Sequence, residues 1–341
     1  MRVEYLSEGA DAGRWDASVG ARASAITDLY AWRRVVRDAY GMDSHYLLAK
    51  DGDRVTGALA LFEIRHPIFG HYLATSVFGN DGGLFHDSDA ARDALLGEAR
   101  ALAGRLNVSH LAIRTRGAVL DGFHVDRGYQ ASVLDLAGIA DDALNRLPAT
   151  TRNQVRRGMK EGFTVATGAD QIGAFHDVFH EHMRDLGSPA HGMRFYEAVQ
   201  RHVGDRAEFY VVRDGATLVA GALLFSVNAT AQNYHTVSLR RFNRRCPNYL
   251  LYWRMIEASY ARGLHTFDMG RSEAGSGQAK FKDNWGTRAV QLCYNYHLVR
   301  ATSVPRLSPS NPKFRIAIAA WSRLPVFVTR ALGPRLISGL A

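Results

Sequence analysis

YLLAKDGDRVTGALALFEI, residues Tyr46–Ile64, and FYVVRDGATLVAGALLFSV, residues Phe209–Val227, align without a gap at an offset of 163 positions. Asp51-Gly52 falls on Asp214-Gly215, Leu61-Phe62 falls on Leu224-Phe225, and apolar positions mostly meet apolar positions. An Asp-Gly pair between two apolar runs supplies the left-handed backbone that a tight turn needs, so each copy predicts a β-hairpin. A shared hairpin 163 residues apart is the signature of an internal repeat.

The order of elements repeats around it. After the first hairpin come a strand-like HYLATSVFG, a glycine-rich NDGGLF, a helix over 89–106 with Leu95, Leu96, Ala99, Leu102 and Ala103 on one face, and a strand His110–Arg114. After the second come TAQNYHTVSL, the loop RRFNRRCPN, a helix over 249–262, and a strand Leu264–Met269. Asn248 is placed to cap that second helix and Gly263 to end it. The expected fold is therefore α/β (α+β), two tandem domains of like topology at 1–147 and 148–300, with a tail at 301–341. The boundary falls near Ile139–Thr150, where the chain runs through Pro148.

Composition is that of a soluble globular chain, 47% hydrophobic and 22% charged, with no run of the ~18 apolar residues a membrane span needs. Two distant cysteines, Cys246 and Cys293, argue against a disulfide framework and fit a reducing compartment. The start, MRVEYLSEGADAG, has no apolar signal core, so the expected location is cytoplasmic. A net charge of +9 favours an anionic partner: nucleic acid, a phosphorylated substrate or an anionic membrane.

The positive charge is clustered. In TRNQVRRGMKEGF a helix would place Arg152, Arg156 and Lys160 in one stripe beside an apolar stripe of Val155 and Met159; a solvated helix face is the alternative to a binding surface. RRFNRRCPN directly precedes a helix, and helix N-termini attract phosphates, so Arg244, Arg245 and Asn248 form a candidate anion site. The matching loop of the first copy, NDGGLFHDSD, is acidic and without Arg or Lys. The segment 301–341 holds six Lys or Arg and no Asp or Glu; it is a basic amphipathic segment that either lies on an anionic membrane or packs on the protein body with its arginines extended to solvent.

Other signals are weaker. In FHDVFHEHMRDL the apolar face is Phe175, Val178, Phe179, His182, Met183 and Leu186, which leaves His176 and His180 on a solvated face; HExxH spacing is absent and no metal site is expected. Gly270, Gly275 and Gly277 match neither a Walker nor a Rossmann pattern. Residues 267–286, FDMGRSEAGSGQAKFKDNWG, read as a strand, a flexible loop and the approach to another strand.

Hairpin, strand, basic loop, helix, strand is the element order of GNAT-type acyltransferases, and two such domains in tandem resemble the FemAB peptidyl- and aminoacyltransferases. RNQVRRGMKEGF, HMRDLGSPAHGMRFYE, FDMGRSEAGSGQAKFKDNWG and NPKFR…WSRLP resemble the branch associated with exosortase (XrtA/PEP-CTERM) systems and exopolysaccharide loci. The resemblance implies acyl or aminoacyl transfer to an amine of a peptidoglycan, exopolysaccharide or other cell-envelope precursor, lipid-linked or nucleotide-linked. It implies no permanently bound cofactor; aminoacyl-tRNA or acyl-CoA serves as co-substrate.

By the same resemblance Lys282, in the Phe-Lys pair, stabilises the oxyanion and Phe281 lines the channel. Asp268 acts as base or orients Arg271, unless the two form a loop-fixing ion pair; Tyr234 contacts donor or acceptor. The basic stripe Arg152, Arg156 and Lys160 serves tRNA or a pyrophosphate-linked acceptor. One departure matters. The GNAT signature Gln/Arg-x-x-Gly-x-Gly/Ala before the long helix is replaced here by RRFNRRCPN, without glycine; SEAGSG comes after the next strand. That disfavours ordinary acetyl-CoA cradling and leaves aminoacyl-tRNA, or a CoA ester held by arginines. The rival from another class is a non-catalytic scaffold of polysaccharide assembly docked on the inner membrane.

Overall fold

The computed structural model describes residues 1–7, 12–136, 143–305 and 315–340. Two compact units form, Met1–Tyr129 with Val290–Arg306 and Ser338–Ala341, and Gln130–Ala289 with Leu307–Ile337. The continuous segments 1–147, 148–300 and 301–341 therefore do not coincide with the units. Part of the expected boundary, 139–142, and most of the NPKFR motif lie outside the described residues.

The first unit contains β1 (Arg2–Tyr5), α1 (Ala12–Val19), α2 (Tyr30–Tyr40), β2 (Asp43–Asp51), β3 (Arg54–His66), β4 (Gly70–Ala74), β5 (Leu84–His86), α3 (Asp89–Arg105) and β6 (His110–Arg116). The chain then enters the second unit along β7 (His124–Asp135). That unit holds α4 (Ala143–Arg146), α5 (Ala149–Lys160), β8 (Thr164–Thr167), α6 (Ile172–Asp185), α7 (Met193–Val203), β9 (Ala207–Asp214), β10 (Thr217–Val227), β11 (Thr230–Ser238), α8 (Pro247–Ala261), β12 (Thr266–Glu273) and α9 (Gly277–Asp283). β13 (Arg288–Leu298) pairs antiparallel with β6, from Leu292↔Arg116 to Leu298↔His110. α10 (Arg315–Trp321) and α11 (Val326–Ile337) complete the second unit.

Strand order is β1-β2-β3-β4-β6-β13 in the first unit and β12-β11-β10-β9-β8 in the second. Both predicted hairpins form, and Gly52 (φ 58°) and Gly215 (φ 57°) supply the left-handed turn residue. The copies share a finer feature. In the first hairpin Ala49 pairs with Gly57 and Lys50 with Val55, leaving Thr56 as an extra residue; in the second Val212 pairs with Ala220 and Arg213 with Leu218, leaving Val219 extra. Thr56 and Val219 occupy the same place in the two aligned stretches, so both copies carry one β-bulge at one position.

Each sheet buries its core under a helix. α3 lays Leu95, Leu96, Ala99 and Leu102 against Leu47, Leu59, Leu61 and Leu111, and Ser88 caps it by accepting from the Ala91 amide at 3.2 Å. α8 lays Leu250, Leu251, Met255 and Ile256 against Val212, Ala220, Leu224 and Phe267. α8 begins two residues earlier than the sequence suggests, at Pro247, because proline's missing N–H costs nothing at a first helical position. Asn248 is thus inside the helix rather than its cap, and Cys246, at φ 59°, precedes it.

Three other expectations are corrected. Residues 277–283 are helix α9, not flexible loop: Ser276 accepts from the Ala279 amide at 3.2 Å and nucleates it. His176 and His180 are buried, not solvated, because α7 and α11 both pack on α6. Met159 is exposed, so Val155 and Gly158 carry the buried side of α5. The basic tail does pack on the protein body, through α11 against α6.

Candidate active site

The cavity follows from one irregularity in the second sheet. β11 and β12 run parallel but pair only from Thr230↔Thr266 to Gln232↔Asp268, and both continue beyond that point. Just past the divergence, Tyr234 is the extra residue of a bulge between Leu223↔His235 and Leu224↔Asn233 on β10. A cavity of about 360 Å³ opens there, lined by Thr236 and Ser238 of β11, Tyr249 and Tyr252 of α8, and Phe281 and Lys282 of α9. In the first copy the equivalent gap is filled. There β4 and β6 pair only at Leu73↔Leu111 and Ala74↔Ala112. Residues 75–83 then follow β6, with Thr75 N–H donating to Ala112 O at 3.0 Å and Gly82 N–H to Arg114 O at 3.2 Å. The buried Asp28 carboxylate holds that segment by accepting from the Gly83 amide, and Arg116 grips Asp81 at 2.6 Å.

Lys282 is 4% exposed, in the last turn of α9. Its Nζ donates to Gly270 O at 2.9 Å and Arg271 O at 2.8 Å. An ammonium has three donors, so one remains for the cavity it lines. Burial lowers its pKa to about 8, against the opposing pull of the Asp268 carboxylate. Asp268 is 1% exposed and accepts from the Gly270 amide at 2.7 Å, which fixes the turn at Gly270 (φ 78°) and hence the carbonyls that grip Lys282. Phe281, Tyr249, Tyr252 and the buried Trp285 pack edge-to-face and stacked at 5.2–6.4 Å and anchor α9.

Residues missed by sequence reasoning complete the wall, His182, Thr236 and Tyr252 among them. His182 Nδ1 lies 2.9 Å from Ser238 O. A carbonyl only accepts, so Nδ1 carries the proton and Nε2 is left with its lone pair. Burial lowers the His182 pKa, with the Ser238 contact opposing. Tyr252 accepts from the Asn233 amide at 3.0 Å, Thr236 donates to Asn233 Oδ1, and burial pushes the Tyr252 phenol up to about 12, so it stays protonated. His182 stands 100 positions from Lys282 in the chain, so no local motif links them.

The predicted site residues divide. Lys282, Phe281 and Asn248 line the cavity together. Pro247 has no N–H, so the first amides of α8 without intrahelical acceptors are those of Asn248 and Tyr249, both on the cavity wall. Arg245 is not available as an anion ligand: it bonds Glu161 at 2.6 Å and the Asp214 carboxylate, clamping the α5 terminus to the β9–β10 hairpin. Arg244 and Arg271 are exposed. Arg152 donates to Asn145 O at 2.8 Å, Arg156 to Asn145 Oδ1 at 2.8 Å, and Lys160 is exposed. Tyr234 sits 5.0 Å from Phe225 and 4.3 Å from His235 by ring centroid, in an aromatic cluster rather than on the cavity wall. Cys246 lines the cavity and donates to Gln154 Oε1 at 2.8 Å. Among the described residues no group of three or more His, Cys, Asp or Glu is arranged to hold a metal ion.

Residues 146–283 match the profile of the acetyltransferase (GNAT) domain family. FemX shares the fold at TM-score 0.66 and 14% identity, over 88% of this chain and 98% of that one. A tandem GNAT protein from the clavulanic acid biosynthesis pathway does so at 0.60 and 13%, over 89% and 99%. A C-terminal domain assigned to a lysylphosphatidylglycerol synthetase from Agrobacterium fabrum does so at 0.56 and 14%, over 84% and 91%. Among curated proteins none matches this chain. Residues 146–283 are thus similar to a GNAT acetyltransferase domain, and the chain shares its fold with FemX and with a tandem GNAT protein.

Proposed function

We propose that the protein transfers an aminoacyl or acyl group from an activated ester or thioester to an amine of a cell-envelope glycan or peptidoglycan precursor. The observation that carries this is Lys282: a buried ammonium with two donors tied to Gly270 O and Arg271 O and one left for a cavity between splayed parallel strands. The substrate amine attacks the carbonyl carbon, forming the N–C bond. His182 Nε2 takes the amine proton, Lys282 stabilises the oxyanion, and the C–O or C–S bond breaks as the Tyr252 hydroxyl donates to the leaving atom; the imidazolium then gives up its proton and the phenolate regains one through solvent. The free amides at the start of α8 suit a phosphate or carbonyl of the donor. Asp268 is a positioning residue that acts through the Gly270 turn.

Aminoacyl-tRNA is the favoured donor. The stretch before α8 lacks the glycines of a coenzyme A cradle, while Arg244, Arg156 and Lys160 are exposed on the second unit. An exosortase-associated glycan acceptor is the finer form of the same proposal. Acyl-CoA is the second reading, favoured by the GNAT domain match. The test is Lys282→Ala assayed for transfer from charged tRNA and from acyl-CoA to an amine-bearing precursor. Transfer should fall about 10²–10³-fold with donor binding retained, as for loss of one oxyanion donor. Unchanged transfer by a folded variant refutes the mechanism. Donor binding that is steeply salt-dependent marks tRNA.

A further inference from the structure

The last two helices have one face pinned and one face bare. α10 and α11 are held to the second unit by specific contacts. Ile318 closes over Gly187, where an added Cβ would meet its Cγ2 at 2.5 Å. Trp321 Nε1 donates to Ser188 O at 3.1 Å and Arg184 to Leu324 O at 3.3 Å. Gly333 approaches the Ala190 backbone so closely that a Cβ would stand 3.0 Å from its carbonyl oxygen. Arg330 pairs with Asp177 at 2.7 Å.

The other faces carry large apolar side chains in water. Ile316 on α10 is 84% exposed and Phe327 on α11 is 74% exposed. Singly such residues are ordinary. Here they recur on consecutive helices beside the exposed Arg315 and Arg323, within a segment, 301–341, that contains no Asp or Glu. The carboxylates of α6, Asp177, Glu181 and Asp185, are each already engaged by an arginine. Apolar anchors flanked by arginines match a bilayer interface with anionic headgroups in charge and in polarity. Among the described residues no helix is long and apolar enough to cross a membrane, so such contact would be peripheral.

We infer that α10 and α11 form a docking surface for an anionic lipid bilayer, with Ile316 and Phe327 entering the interface and Arg315 and Arg323 meeting the headgroups. The inference does not depend on the proposed chemistry. It is tested by co-sedimenting the full chain with vesicles of phosphatidylcholine alone and of phosphatidylcholine with a third phosphatidylglycerol. The wild type should bind the anionic vesicles, less as salt rises, and not the neutral ones. Ile316→Ser with Phe327→Ser should weaken binding at least about tenfold with an unchanged thermal melt, since both side chains leave solvent only at the membrane. No binding to anionic vesicles, equal binding to neutral ones, or wild-type binding by the double variant overturns it. So does a dimer, seen by ultracentrifugation, that the double variant dissolves, because the surface would then belong to a second copy.

Discussion

Burial changes the charge state open to Lys282. Exposed, it would be a cation across all working pH; burial brings its pKa to about 8. In the proposed mechanism its protonated form donates to the oxyanion, so kcat/KM should fall as pH rises past about 8, by about tenfold per unit once the amine is mostly neutral. In the same proposal His182 acts as a neutral base, and its pKa is lowered by burial. The acid limb should therefore lie below the ordinary histidine value of about 6.5. A profile from about pH 5 to about pH 10 checks both limbs. A rate that keeps rising above pH 8 would mean that Lys282 works deprotonated or not at all. The Phe-Lys pair was visible in the sequence. His182 was not, because its value as a base depends on Ser238 O accepting from Nδ1, a contact across 56 positions.

At the scale of elements, the site rests on how closely α5 approaches α8. Gly158 sets that distance: a Cβ there would stand 2.7 Å from Cys246 O and 3.2 Å from Leu250 Cβ. Gly158→Ala gains ~1 kcal/mol of helix propensity and meets a backbone carbonyl that cannot yield without moving the start of α8. Overpacking of that kind costs about 1–3 kcal/mol, so the clash should win and the melting temperature should drop. Gly173→Ala in α6, with nothing within 4 Å, is the control and should be neutral or stabilising. Equal melts for the two variants would refute the packing argument. Most elements were legible. α3 stood out by apolar spacing, α8 by the residues that punctuate its ends, and the hairpins by their repeated Asp-Gly turns. α9 was not, because seven residues are too few for a period and its stability comes from the Ser276 cap and the Trp285 cluster.

For the molecule as a whole, acid stability is governed by histidines enclosed around α6. Burial lowers His176 and His235 to about 3, and His191 well below its ordinary value. In the unfolded chain these titrate near 6.5, so there the unfolded state binds more protons. Stability should be full above about pH 6.5 and drain away as pH falls toward 3, by on the order of 2 kcal/mol per histidine at pH 5. Denaturant midpoints measured from about pH 7.5 to about pH 5 check this. A flat midpoint would show that these rings are protonated in the native state. The helical pattern alone had put His176 and His180 in water, since nothing local announces that α7 and α11 cover that face of α6.

The sequence by itself determined the duplicated hairpins and the α/β class, because periodicity, turn chemistry and repetition are local properties of a chain. Only the tertiary structure decided which copy keeps a cavity at the gap between its parallel strands. Residues 75–83 fill the strand gap in the first unit, and the second stays open where β11 and β12 part. It also decided that Arg245 braces Glu161 and Asp214 rather than a ligand, and that β13 pairs with β6. Those outcomes turn on which charges and strand edges meet across many tens of residues, and a one-dimensional pattern does not specify such meetings.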